Sequence, residues 1–134
     1  MDLENKNVLI TGSSKGIGEQ IAYAFSKEKC RVIVTYNSDI SGAQKVAFKC
    51  KDLGAYEVLV LKLDTKDDES IKKVVGEVIE KFGHIDVLIN NAGVIGWEKF
   101  ENESFDEIEG QVGTNLLGMI KMTSASFSQI KEGI

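Results

Sequence analysis

Three glycines spaced G-x-x-x-G-x-G stand in the stretch TGSSKGIG, residues 11–18, directly after the apolar run Val8–Ile10 and before a helical pattern. A phosphate group concentrates negative charge and needs N–H donors that can approach it closely. A helix N-terminus offers unpaired N–H groups and the positive end of the macrodipole. Gly12 is expected to make the tight turn, Gly16 to open the approach, and Gly18 to let the helix pack on the sheet. Ser13 and Ser14 would add hydroxyl donors, and Lys15 a positive charge. Placement between a strand and an amphipathic helix separates this segment from a bare glycine-rich turn and points to the diphosphate of a dinucleotide. No G-K-[ST] ending follows, which argues against a P-loop.

Other candidates lie further along. Asp64 and Thr65 follow a strand-like run, and Asn90, Asn91, Ala92 and Gly93 follow another. Amide side chains there can tie neighbouring strand ends together, while Ala92 and Gly93 leave space for a ligand. Taken alone, Asp64 also reads as a turn or helix-cap acid, and Asn115 as an ordinary helix residue that costs some propensity. His84, the single histidine, reads as a surface turn residue. Trp97 and Phe100 read as loop-packing aromatics, with a wall of a substrate cleft as the alternative.

The elements that must position these residues follow from periodicity. Strands are expected at Val8–Ile10, Arg31–Tyr36, Tyr56–Leu63 and Asp86–Asn90. The first helix opens near Gly16, with Ile17, Ile21, Ala24 and Phe25 as its apolar stripe. The second spans Ser41–Leu53 and stops at Gly54. The third carries Ile71, Val74, Val75, Val78, Ile79 and Phe82 and ends at Gly83, with the acidic KDDES as its solvated start. Ser104 and Glu107 form an S-x-x-E capping box for a short helix with Phe105, Ile108 and Val112. A further face of Leu116, Leu117, Ile120, Thr123, Ser124 and Phe127 runs towards Lys131. Strands alternating with helices give an α/β, doubly wound parallel sheet, a Rossmann-like single domain over residues 1–134. Its ligands sit beyond the carboxyl ends of the strands. After Gly133, Ile134 looks like the first residue of a fifth strand, so the fold is expected to stop short of it.

Composition narrows the class. The chain has 134 residues, 43% hydrophobic and 28% charged, which is ordinary for a globular domain. A net charge of −5 argues against a nucleic-acid partner, which wants a basic face. No apolar run approaches the roughly 20 residues that span a bilayer, and the polar start MDLENKN does not read as a secretory signal. Cys30 and Cys50 share no metal-ligand spacing and read as reduced thiols of a cytoplasmic protein.

TGSSKGIG near the N-terminus, Asp64 after the third strand, NNAG at 90–93 and VGTNLLG at 112–118 together resemble the short-chain dehydrogenase/reductase family, along the whole chain. The resemblance implies an NAD(P)-dependent oxidoreductase that transfers hydride between coenzyme and a small-molecule carbonyl or alcohol. Gly12, Ser14, Lys15 and Ile17 would line the diphosphate and adjoining ribose. Asp64 and the Thr65 backbone would meet the adenine, Ala92 and Gly93 would leave room for its ribose, and Asn115 would be a catalytic asparagine anchoring a proton-relay water. At the end of the second strand Tyr36, Asn37 and Ser38 precede Asp39, where an acid would repel a 2′-phosphate. With Lys15 nearby, this resembles NADP-preferring members, so NADP is expected over NAD, Asp39 arguing the other way. TGSSKGIG with TYNSD is similar to the 3-oxoacyl-[acyl-carrier-protein] reductase subgroup. The family's oligomers use the helix near 115–131, which implies a homo-oligomer.

Carbonyl reduction also needs a proton donor at the substrate oxygen. In the family a tyrosine serves, with a lysine four residues later and a serine on the carbonyl, on and after the fifth strand. Tyr23 has Lys27 at that spacing but lies on the first helix, away from the expected hydride. The chain is therefore expected to carry the coenzyme-binding half and to lack turnover alone. The alternative is a catalytically inactive nucleotide-binding or interaction module.

Overall fold

The computed structural model of the chain describes residues 2–130. The strands are β1 Asn7–Ile10, β2 Arg31–Tyr36, β3 Glu57–Lys62 and β4 Val87–Ile89. The helices are α1 Gly16–Lys27, α2 Ile40–Asp52, α3 Asp68–Phe82, α4 Phe105–Val112 and α5 Met119–Phe127. A 3₁₀ turn at Phe100–Asn102 precedes α4, and a π-helical turn, Gly113–Gly118, joins α4 to α5. All strand pairs are parallel, in the order β3-β2-β1-β4. The chain winds one way from β1 through β2 to β3 and then crosses to β4 on the other side. That reversal opens a crevice between the ends of β1 and β4.

Strand side chains alternate between two covered faces, so each apolar run serves two cores. Leu9, Ile33 and Leu61 meet Ile71, Val74 and Val78 of α3 and Met122 of α5. Val8, Ile10, Val32 and Val34 meet Ala22 of α1 and Ala43, Val46 and Cys50 of α2. The stripe read for α3 is the buried one, and its ends are as the sequence indicates: Asp67 accepts from the Glu69 N–H, and Gly83 closes the helix at φ +83°. The capping box of α4 forms between Ser104 and Glu107.

Two helical faces differ from the reading. On α1 the buried residues are Gly18, Ala22 and Ser26, while Ile17 and Ala24 are exposed. Small residues let α1 lie close to the sheet, while Ile21 and Phe25 of the predicted stripe pack, half-buried, at the edge of that contact. On α5 the buried positions are Met122 and Ser126, with Gly118 just before them, and Leu116, Leu117, Ile120 and Phe127 face outward. Beside β4, Ile85 bridges to Ile130 in parallel fashion. Ile134, where a fifth strand was expected to begin, lies outside the described residues.

Cys30 and Cys50 are free and buried, and burial pushes the Cys30 thiol up to about 11. Among the described residues no helix is long and apolar enough to cross a membrane.

Candidate functional site

Every strand ends towards one crevice of about 1100 Å³, and the turn after β1 forms its floor. Gly12 turns the chain at φ +63°, and a Cβ there would lie 2.9 Å from the Ala92 Cα. The close approach is fixed by Asn91, whose Nδ2 donates to the carbonyls of Thr11 (3.0 Å) and Gly12 (2.9 Å). Thr11 returns the contact: its Oγ1 accepts from the N–H groups of Asn91 (3.0 Å) and Ala92 (2.9 Å). Gly18 packs under this turn, where a Cβ would collide with the Gly12 carbonyl and stand 2.5 Å from Asn91 Nδ2. Gly16 is different. It has φ +62° and nothing within 4 Å of the position a Cβ would take, so its face opens onto the crevice.

The start of α1 is also electrostatically open. Asp39, Asp67 and Ser104 cap α2, α3 and α4 with side-chain oxygens, whereas Lys15 at the N-cap of α1 provides none. The first N–H groups of α1 are left for an external acceptor. Ser14, Lys15 and the exposed Ile17 line the same space.

Some expected site residues face elsewhere. Ser13 is fully buried: its hydroxyl donates to the Ile10 carbonyl (2.9 Å) and accepts from the Thr35 N–H (2.9 Å). It locks β1 to β2 and is no phosphate donor. Tyr36 packs against the α1–α2 core rather than lining the crevice. Asn90 bonds Thr123 Oγ1 at 3.0 Å, tying β4 to α5, because successive strand side chains point oppositely. Asn37 and Ser38 do line the crevice. So does Asp39, but its Oδ1 accepts from the Gly42 N–H at 2.9 Å.

Asp64 lines the opposite side, with Oδ1 accepting from the Lys66 N–H (2.9 Å) and its own N–H donating to Ser70. It is a turn acid that still borders the crevice. Thr65 is buried against Gly118, where a Cβ would lie 2.8 Å from its Cβ and Oγ1. Asn115 sits in the π-helical turn and clasps one residue with both amide atoms: Oδ1 accepts from the Val94 N–H and Nδ2 donates to the Val94 carbonyl, each at 2.7 Å. In this arrangement its side chain holds the loop after β4, with Gly93 alongside.

The aromatics do not pack the loop. Trp97 and Phe100 are 94% and 81% exposed, and Trp97 borders the crevice together with Val94 and Ile95. His84 stays in its turn, paired with Asp86 (3.1 Å) at the far end of the sheet. Tyr23 donates to Glu19 at 2.8 Å, and burial with that carboxylate pushes its pKa up to about 12, unsuited to acid catalysis. Among the described residues no cluster fits a metal ion. Thr11, Thr35 and Gly118 also shape the site: they stand inside TGSSKGIG, TYNSD and VGTNLLG, but their contacts lie with residues distant in sequence.

The model of the family described as short chain dehydrogenase matches residues 6–134. Glucose 1-dehydrogenase 2 of Bacillus subtilis (strain 168) is 36% identical over 130 residues, 96% of this chain and 50% of the relative. The NADP-dependent 3-hydroxy acid dehydrogenase of Schizosaccharomyces pombe is 36% identical over 124 residues, 92% of this chain and 48% of the relative. A solved short chain dehydrogenase from Burkholderia cenocepacia J2315, in complex with NADP, has a TM-score of 0.91 and 29% identity over 98% of this chain and 54% of that one. The chain thus spans about half the length of these relatives.

Proposed function

Because the chain belongs to the short-chain dehydrogenase family, we propose that its crevice binds a nicotinamide dinucleotide, NADP in preference to NAD. The observation that carries this reading is the uncapped start of α1 beneath a left-handed, unobstructed Gly16. Backbone N–H groups there meet an anion at close range, and the glycine leaves it room. The residues present fit such a group: the diphosphate over Gly12–Ile17 and the adenosine between Asn37–Asp39 and Asp64–Thr65. Lys15 is exposed at the crevice and makes no ion pair among the described residues. With neutral Asn37 and Ser38 lining the same crevice, a 2′-phosphate finds a cation at its approach; Asp39 is turned to the Gly42 N–H but keeps its negative charge and opposes this preference.

Bound there, the coenzyme would give hydride to a carbonyl or take it from an alcohol; these 134 residues would bind and orient it. The substrate is a carbonyl or alcohol, and a 3-oxoacyl thioester is one member of that class. Among the described residues no tyrosine lines the crevice: Tyr23 is bonded to Glu19, Tyr36 is half-buried against the α1–α2 core, and Tyr56 is exposed just before β3. We therefore read it as binding coenzyme without turning over substrate alone. The outward face of Leu116, Leu117, Ile120 and Phe127 supports self-association as a homo-oligomer.

Titration with NADPH and NADH, followed by nicotinamide fluorescence, tests the reading. NADPH binds the tighter, and Lys15→Ala weakens NADPH about tenfold, with little change for NADH, as loss of one charge-assisted contact implies. Equal loss for both coenzymes would remove Lys15 from 2′-phosphate recognition. Turnover of a carbonyl panel by the purified chain would refute the absence of catalysis, and a monomer at micromolar concentration in sedimentation would refute self-association.

A further inference from the structure

The stretch of crevice left unassigned by the coenzyme is the loop after β4. Val94, Ile95 and Trp97 line it, exposed by 49%, 71% and 94%. Three apolar side chains held in solvent at a ligand crevice are a surface awaiting an apolar occupant. The backbone that carries them is anchored twice. Asn115 clasps Val94, as described above. The second anchor is at Gly96: Gln111 Nε2 donates to Glu103 Oε1 at 3.0 Å, in a partly buried pair. A Cβ at residue 96 would run into Glu103 Oε1 and lie 3.1 Å from Gln111 Nε2. The Gly96 backbone therefore rests directly on this pair, and Gly96 stands between Ile95 and Trp97. Around the same wall Glu98, Asp106 and Glu107 supply a negative rim.

We propose that Glu103 and Gln111 are positioning residues that hold the Gly96 turn and so present Ile95 and Trp97 as an apolar wall for the uncharged body of a carbonyl or alcohol substrate. The assignment of the occupant rests on the coenzyme reading of the neighbouring half of the crevice. The acidic rim disfavours anions, so a neutral aromatic ketone is the fitting probe and its carboxylate counterpart the control.

Trp97 is the chain's only tryptophan and reports on the wall directly. Acetophenone and benzoate are titrated into the NADP-loaded chain, following Trp97 emission and lifetime, while NADPH affinity is measured separately from nicotinamide fluorescence. Acetophenone should quench statically and to saturation, and benzoate should not. Glu103→Ala, and Gly96→Ala, whose methyl displaces the Glu103 carboxylate, should weaken acetophenone at least fivefold with NADPH affinity within twofold. Glu103→Gln keeps the acceptor for Gln111 and should restore binding. Purely collisional quenching in the native chain, native-like saturation in Glu103→Ala, equal binding of benzoate, or parallel loss of NADPH would each overturn the proposal. Saturable, Glu103-dependent ketone binding in a chain that fails to bind NADPH would support the wall and refute the coenzyme reading instead.

Discussion

Asn91 bonds the carbonyl oxygen of Gly12 at 2.9 Å and that of Thr11 at 3.0 Å, fastening the loop after β4 to the turn after β1. The two lips of the crevice are thus one unit, and the amide is the only side-chain donor to either carbonyl among the described residues. Asn91→Ala leaves two acceptors unpaired, which costs about 1–3 kcal/mol each where water cannot replace the donor. We expect a fall in urea stability of about 2 kcal/mol, the low part of that range, because the site is partly open. Coenzyme affinity should fall with it, and Asn91→Asp should be worse, since it sets a carboxylate against two carbonyls. Unchanged stability in Asn91→Ala would show the fastening to be dispensable.

Gly18 and Gly16 should both lose stability to alanine, for different reasons. At 18 the new methyl meets backbone, including Ser13 Cα at 2.8 Å, which cannot swing away. Overpacking of this kind costs about 1–3 kcal/mol and distorts the turn that positions Gly12. At 16 there is open space, and only the left-handed backbone is penalised, by about 1–2 kcal/mol. Circular dichroism should show native secondary structure in Gly16→Ala, with a urea midpoint lowered only by the backbone penalty, and a disturbed spectrum with a midpoint at least as low in Gly18→Ala. A Gly18→Ala chain as stable as the native one would contradict the packing described.

Lys121 of α5 bonds Asp68 of α3 at 2.6 Å, and this hydrogen bond and charge hold the Asp68 carboxyl below the usual carboxylate range. A depressed folded pKa contributes stability above the unfolded value, about 3.9, and that contribution disappears as pH falls through the folded one. Asp68→Asn should therefore be less stable than the native chain at pH 6, and the gap should close towards pH 2. The pair is solvent-exposed, so the gap should be small and shrink in high salt. An identical gap at both pH values would mean that the carboxylate charge is not involved.

Cys30 should be a slow thiol. Burial, with Glu28 and Asp86 adding to it, raises its pKa to about 11, so at pH 8 almost none is thiolate. Iodoacetamide labelling followed by mass should be slow in the native chain and fast in urea. The same shift has a stability consequence with the opposite sign to Asp68. The raised folded pKa gives stability that is complete below the unfolded thiol value, about 8.5, and is lost as pH rises towards 11. Rapid labelling at pH 8 without denaturant would show that Cys30 is not enclosed.

The legible parts of the sequence were those where one local pattern decides the outcome. The limits of β2 at Arg31 and Tyr36, the α3 stripe ending at Gly83, and the Ser104–Glu107 box all rest on neighbours in the chain. The glycine turn was legible because only glycine can hold φ near +60° at both 12 and 16 without strain. What escaped is decided by partners distant in sequence. Asn90 and Asn91 are chemically identical, and only the pleat of β4 sends one to Thr123 and the other to Thr11. Ser13 was read as a donor to ligand because its use by Ile10 and Thr35 needs the β1–β2 pairing to be known. The π-helical turn at Gly113–Gly118 has no propensity signature, so VGTNLLG looked like ordinary helix. Trp97 and Phe100 were read as packing the loop, with a cleft wall as the alternative; the loop carries both outward, and Trp97 borders the crevice.

The most direct measurement is the NADPH affinity of Gly16→Leu against the native chain, by nicotinamide fluorescence on samples with matching circular dichroism. A diphosphate seated over the open face of residue 16 requires saturable binding in the native chain and at least a thirtyfold loss when the leucine side chain fills that space. Native-like NADPH affinity in folded Gly16→Leu would place the coenzyme elsewhere and contradict the cradle at the start of α1.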